Sequence, residues 1–159
     1  MALEVGGKIP DVKLKTVTEA GQQEVSTAEL FKGKKAVVFG VPGAFTPTCS
    51  SKHLPGYVAQ YADLKGKGVD LVACVSVNDA FVMEAWGKAH DALGKIVMIA
   101  DGSGAFTKAS GLELDLGAAH MGLRCKRWAA VIEDGVVKSL DVDAQGLVDT
   151  ACEVQLGKV

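Results

Sequence analysis

Short apolar runs rich in β-branched and aromatic residues recur along the chain, separated by stretches whose apolar positions follow helical spacing. Lys35 to Val41 (KAVVFGV) is the first run, Val69 to Val77 (VDLVACVSV) the second and Ile96 to Ala100 (IVMIA) the third. Each has the length of a strand and is apolar on both faces, as strands buried within a parallel sheet are. Between the second and third, Phe81, Ala85, Trp86 and Ala89 fall near a 3.6-residue period, and Asn78 or Asp79 can cap a helix from Ala80 to Leu93. Ser103 can cap a shorter helix that stops near Gly111. The pattern then changes. Arg127 to Ile132, the turn pair Asp134-Gly135 and Val136 to Val142 predict an antiparallel hairpin, while the last dozen residues have no clear period.

Strands alternating with helices predict an α/β architecture: a central mixed sheet flanked by helices and closed by a C-terminal antiparallel hairpin. That element order is the order of a thioredoxin-like fold. A length of 159 residues predicts one domain over 1–159, long enough to bury about two thirds of its unfolded surface without disulfide or metal staples. Seventeen basic against nineteen acidic side chains leave no polycationic footprint, which excludes nucleic acid as the main partner. A membrane span is not expected, because the most apolar stretch, Ala36 to Phe45, is about half the necessary length and is broken by Gly40, Pro42 and Gly43. The opening MALEVGGKIP resembles neither a signal-peptide core nor an Arg/Ser-rich transit segment, so the expected compartment is the cytoplasm, or an organelle if a transit peptide has been removed.

The four cysteines, Cys49, Cys74, Cys125 and Cys152, are too few for a disulfide scaffold and form no C-x-x-C pair of the kind a zinc site uses. One of them stands in an unusual setting. In Val41-Pro-Gly-Ala-Phe-Thr-Pro-Thr-Cys-Ser-Ser51, Thr46 suits an N-cap and Pro47 the first helical position, which puts Cys49 third. Unpaired N–H groups and the positive end of the macrodipole converge there and favour thiolate over thiol. Pro55 cannot bond the Ser51 carbonyl and is expected to kink the helix behind the cysteine turn. The bland alternative is a small buried hydrophobe, as most free cysteines are.

Pro42-x-x-x-Thr46-x-x-Cys49 within that run resembles the active-site signature of the peroxiredoxins. Lys52-His-Leu-Pro-Gly56, Ser76-Val-Asn-Asp79 and Lys126-Arg127-Trp128 resemble their type II, or peroxiredoxin 5, branch, and the likeness runs from about Val5 to Val142. The resemblance implies a thiol-dependent peroxidase that reduces hydrogen peroxide and organic hydroperoxides without metal or prosthetic cofactor. Thioredoxin, glutaredoxin or glutathione would supply the electrons. It implies that Cys49 is the peroxidatic nucleophile, Thr46 bonds and orients the peroxide, Pro42 shields the pocket and Arg127 polarises the peroxide and holds the thiolate. Gly43 and Thr48 would contribute to substrate binding, and Arg124 would support Arg127. A homodimer is implied, joined beside the site through Pro42–Phe45 and Asn78–Phe81. The chemistry suits these residue types, since displacement at oxygen needs a nucleophile, donors for the departing oxygen and exclusion of water.

A sulfenic acid on Cys49 must then meet a thiol. Cys152 corresponds to the resolving cysteine of animal members and is favoured because it lies in an irregular, mobile tail. Cys74, in mid-strand, corresponds to the one proposed for plant members, and an external thiol needs neither. Cys125 is expected to share a strand face with Arg127. His53, only four residues past Cys49, is expected to face solvent or cap a neighbour rather than serve the thiol. Met83, Trp86 and Trp128 are expected in the core or a subunit interface. Two other functions compete: a thiol–disulfide oxidoreductase on the same fold, which the missing C-x-x-C disfavours, and a non-catalytic redox sensor or holdase.

Overall fold

The computed structural model describes residues 2–159. Seven strands form one mixed sheet. At its centre lie β3 (Lys35–Gly40), β4 (Leu71–Ser76) and β5 (Val97–Ala100), the three predicted apolar runs, paired in parallel. β8 (Arg127–Glu133) pairs antiparallel with β3 and forms a hairpin with β9 (Val136–Asp143). The turn between them is Asp134-Gly135, both at positive φ (48° and 77°), as a two-residue turn matched to strand twist requires. The sheet order is β2-β1-β5-β4-β3-β8-β9, the mixed sheet with a terminal hairpin that the alternation predicts.

Two strand pairs have weak sequence signals. β1 (Lys13–Thr18) and β2 (Gly21–Ser26) make an N-terminal hairpin, with β1 antiparallel to β5. No residue of β2 is fully buried, so this edge strand carries little of the apolar pattern that marks the central ones. β6 (Glu113–Leu116) and β7 (Gly122–Cys125) form a separate two-stranded sheet.

The helices divide the core in two. α2 (Leu54–Ala59), α3 (Tyr61–Gly66), α4 (Ala80–Ala89) and the short α6 (Cys152–Leu156) cover one face and bury Leu54, Tyr57, Leu64, Met83 and Trp86 against alternate residues of β3, β4 and β8. α1 (Thr27–Phe31) and α5 (Ala105–Ser110) cover the other with Phe31 and Phe106, and Trp128 belongs to that side. Met83, Trp86 and Trp128 are therefore core residues. Gly40 is required by one of them: a Cβ there would stand 1.9 Å from the Trp128 indole nitrogen.

Capping follows the predicted sites with two changes. Asp79 caps α4, accepting the Val82 N–H at 2.8 Å. Asn78 instead accepts the Ala44 N–H at 3.0 Å and ties the β3–α2 loop to the end of β4. At α5 the cap is not Ser103 but the buried Asp101 carboxylate, which accepts from Phe106 and Thr107 N–H at 3.0 and 2.8 Å across the Gly104 turn. A carboxylate can satisfy two N–H groups where a hydroxyl satisfies one. The C-terminal residues are also ordered by packing rather than by period: α6 is fixed by Gln155, whose amide donates to Asp141 (3.0 Å) and to the Asp149 carbonyl (2.8 Å).

Candidate active site

Chain direction brings the site together. β3 ends at Gly40, whose cross-strand partner is Trp128, so Arg127 at the start of β8 stands beside the loop that leaves β3. Helical backbone begins at Pro47, and the Ser50 N–H bonds the Thr46 carbonyl at 2.9 Å, which places Cys49 in the first turn as the Thr-Pro signal predicts. The Thr46 side chain does something else. Its hydroxyl donates to the Gly43 carbonyl at 2.6 Å, closing the loop instead of capping the helix. Gly43 allows this approach, because a Cβ there would lie 2.9 Å from Thr46 Cγ2 and 3.0 Å from Arg124 Nη1. Arg124 is anchored by its Nε–H to the Met121 carbonyl at 2.9 Å.

Cys49–His53 form a π-helical turn, marked by the Leu54 N–H bonding the Cys49 carbonyl five residues back. The irregularity predicted at Pro55 thus precedes it: the widened turn leads into α2 with Pro55 already in its first turn. Trp86 Nε1 donates to Ser50 Oγ at 3.0 Å and holds the turn from α4. Cys49 itself is fully buried.

Arg127 reaches the sulfur. Its Nη2 donates to Cys49 Sγ at 3.2 Å, and its Nη1 donates to His53 Nδ1 at 2.7 Å. The ion pairs among the described residues are Lys88–Glu84 and Lys158–Asp141, so no carboxylate pairs directly with this buried guanidinium. A buried cation without a directly paired acid is costly, and the Cys49 sulfur 3.2 Å away is the group placed to offset it. Pro42 and Arg127 line a cleft of about 380 Å³ together with Leu114, Lys126, Val142 and Asp143. Pro42, Thr46 and Thr48 are half-buried above the buried Cys49.

His53 does not face solvent as expected. It is 1% exposed, packs its ring 4.8 Å from Phe39 and contacts the Thr150 carbonyl through Nε2 at 3.1 Å. Residues four apart share a helix face, so His53 is buried on the side that carries Cys49. Burial, and then the Arg127 charge, bring the pKa of its imidazole down to about 3, although the Thr150 carbonyl and Asp143 pull it upward. The ring is thus neutral, Nε2–H donating and Nδ1 accepting. Tyr57, stacked on Phe39 at 3.9 Å, donates its hydroxyl to the same carbonyl at 2.7 Å.

The remaining thiols are placed differently. Cys74 lies in β4 opposite Phe39, fully buried, and burial first, with the Cys49 and Cys125 charges next, pushes its thiol well above its ordinary value. Cys152 is only 2% exposed and opens α6; burial, then Asp63 and Glu153, push it up to about 12. The mobile tail expected of it is corrected. Asp143 accepts the N–H groups of Val148, Asp149 and Thr150 and the Thr150 hydroxyl, pinning the segment ahead of α6. Cys125 is corrected too: it packs on the opposite face of the sheet from Cys49 and donates its thiol to the Val41 carbonyl at 3.2 Å. Lys126, between β7 and β8, breaks the strand continuity on which the shared-face expectation relied.

Residues 4–151 match the Redoxin family. Peroxiredoxin-2B of Arabidopsis thaliana is 46% identical over 145 residues, 91% of this chain and 90% of that protein. Chloroplastic peroxiredoxin-2E of the same plant is 45% identical over 149 residues; the match takes in 91% of this chain and 64% of that longer protein. The crystal structure of reduced Prx3 in complex with hydrogen peroxide from Vibrio vulnificus is 49% identical, has a TM-score of 0.93 and is covered to 98%, as is this chain. With the sequence signature, the mixed sheet and these likenesses in agreement, the chain belongs to the type II branch of the peroxiredoxins, the thiol-dependent peroxidases of the thioredoxin fold.

Proposed function

We propose that this peroxiredoxin reduces hydrogen peroxide and organic hydroperoxides at Cys49, with Arg127, Thr46 and Pro42 as its immediate machinery. The Cys49 thiolate attacks one peroxide oxygen; an S–O bond forms as the O–O bond breaks. Sulfur loses two electrons and becomes sulfenic acid, and the other oxygen leaves as hydroxide or alkoxide and takes up a proton to give water or alcohol. Arg127 faces the charge on sulfur and, as it moves, the charge on the departing oxygen. The Thr46 hydroxyl has committed its proton to the Gly43 carbonyl, so its free lone pairs accept the peroxide O–H and set its direction. Pro42 lines the cleft that ends on Arg127 and limits water there, with Gly43 and Thr48 shaping the loop. The single observation that carries this reading is the buried guanidinium on Cys49 Sγ with no carboxylate paired directly with it.

The sulfenic acid is resolved by an external thiol of the thioredoxin, glutaredoxin or glutathione type. Cys152 is buried just after the segment that Asp143 pins, and Cys74 is buried in the middle of β4, placements that favour an external donor. Exposed Phe45 and Phe81 flank the bond that ties Ala44 to Asn78 and give a second copy an aromatic face, the basis for a homodimer. Among the described residues no helix is long and apolar enough to cross a membrane. The compartment is the cytoplasm or an organelle, as the chloroplastic relative illustrates.

Peroxide consumption with an added dithiol tests the reading: wild type turns over many equivalents and Cys49→Ser none, and comparable activity in Cys49→Ser rejects it. Intact mass after one equivalent without reductant reads resolution in the same samples. Gain of one oxygen supports the external thiol; loss of two hydrogens that vanishes in Cys152→Ser assigns Cys152.

A further inference from the structure

Arg127 is a long side chain with several rotatable bonds, and a single contact to sulfur does not fix the plane of its guanidinium. The second contact is His53 Nδ1 at 2.7 Å. His53 is fixed in turn by Phe39 against its ring and by the Thr150 carbonyl on Nε2, and that carbonyl also accepts from Tyr57. Thr150 is held by Asp143, which receives both its N–H (3.0 Å) and its hydroxyl (2.7 Å). Asp143 stands directly across from Arg127 in the β8–β9 register, yet its carboxylate is spent on residues 148–150. A cation that must serve a sulfur anion is thereby anchored by a neutral ring and not by the nearby acid. A carboxylate in that place would fix the guanidinium equally well but would cancel the charge facing the sulfur.

We propose that His53 is a positioning residue of the peroxidase reaction: Nδ1 accepts Nη1–H of Arg127 and sets the guanidinium so that Nη2 faces Cys49 Sγ, while the Thr150 carbonyl locks the ring in the required tautomer. This rests on Cys49 being the reacting sulfur. The burial that keeps the imidazole neutral supports it, because a protonated ring would turn a donor toward a donor.

Two isosteric substitutions separate the ring's two roles. Asn at 53 offers an acceptor near Nδ1 without the Nε2 donor; Gln offers a donor near Nε2 without the Nδ1 acceptor. The readout is the second-order rate constant for single-turnover oxidation of Cys49 by hydrogen peroxide. His53→Gln is expected to be slower by about 10- to 100-fold, the loss of one hydrogen bond to a charged group. His53→Asn recovers most of that, to within about threefold of wild type, a deficit on the order of one weakened neutral hydrogen bond. In an Arg127→Gln background, His53→Gln adds less than about twofold, because the two residues act through one contact. Equal rates in His53→Gln and wild type, equal losses in the two substitutions, or multiplying losses with Arg127→Gln each overturn the proposal. Nitrogen NMR of wild-type imidazoles tests it without any substitution: His53 protonated on Nε2 with Nδ1 accepting is the expected state, and the reverse tautomer overturns it. Cys49→Ser is measured alongside. Activity surviving there removes the Cys49 reading, whereas an inactive Cys49→Ser beside an unaffected His53→Gln removes only the role of His53.

Discussion

Cys49 and Cys74 are both fully buried and belong to the same apolar cluster, yet their surroundings prepare them for opposite chemistry. Cys74 sits in the middle of β4 behind Phe39, where the lost water is hardly replaced; burial holds it as a thiol, and Arg127 offsets only part of that. Cys49 opens a π-helical turn and receives a guanidinium N–H at 3.2 Å. Cys125 repeats the Cys74 case on the other face, pushed up to about 12 by burial, then by Asp101 and Cys49. Burial alone therefore does not tell the thiols apart. Direct contact with a guanidinium that has no ion-pair partner separates Cys49 from its neighbours.

Breaking that contact should have the largest effect. Arg127→Gln keeps an N–H donor but removes the positive charge, and leaves Cys49 much closer to the condition of Cys74. The rate constant for Cys49 oxidation is expected to fall by about a hundredfold or more, the scale for losing a charged donor aimed at developing charge. Stopped-flow oxidation measures it, and a rate within a few-fold of wild type would show that the cation does not distinguish the two thiols.

A smaller effect lies one step further from the sulfur. Burial raises the Asp143 carboxyl, but the Thr150 hydroxyl and the N–H groups of Val148, Asp149 and Thr150 outweigh it and bring the group from 3.8 to about 2. A carboxyl lowered on folding stabilises the native state fully above its unfolded value and loses that contribution as pH falls through the folded one. Wild type should accordingly shed stability between about pH 4 and pH 2, at most about 2 kcal/mol and less by what solvent screening removes. Asp143→Asn should lack that slope and be less stable near neutrality, with the Thr150 anchor of His53 loosened. Urea unfolding at a series of pH values reads the slope; identical profiles for the two proteins would leave Asp143 without this role.

The central strands, the terminal hairpin and the helical start at Pro47 were legible because each rests on a local pattern: β-branched runs, an Asp-Gly turn, a proline suited to the first helical position. The signature pointed to Cys49, Thr46 and Arg127, and the fold brings the first and last into contact. His53 was hidden for a definite reason. Four residues in a helix return to the same face, so its spacing from the buried Cys49 already points inward, but the group it meets there, Arg127, arrives from β8, 74 residues away, and no local pattern announces that contact. The order of the C-terminal segment was hidden because it comes from Asp143 and Gln155, contacts that carry no period. Polar β2 was missed because an edge strand need not be apolar.

The smallest expected effect falls on the other thiol. Cys74→Ala deletes one buried sulfur opposite Phe39 and leaves the Arg127–Cys49 contact in place. A void of that size in the central sheet should cost about 1 kcal/mol, visible as a lower urea midpoint at unchanged slope. The rate of Cys49 oxidation should stay within about twofold, because a deletion that removes neither charge nor hydrogen bond from the reacting sulfur changes its barrier by a few tenths of a kcal/mol. Turnover with an added dithiol should likewise persist, since a thiol held protonated by burial is a poor nucleophile toward sulfenic acid. If turnover stopped in Cys74→Ala while Cys49 still oxidised at the wild-type rate, Cys74 would be the resolving thiol. A buried sulfur without direct contact to a cation would then be reactive after all, and the contrast with Cys49 would rest on timing, on which of the two thiols is uncovered once the other has reacted, and not on charge.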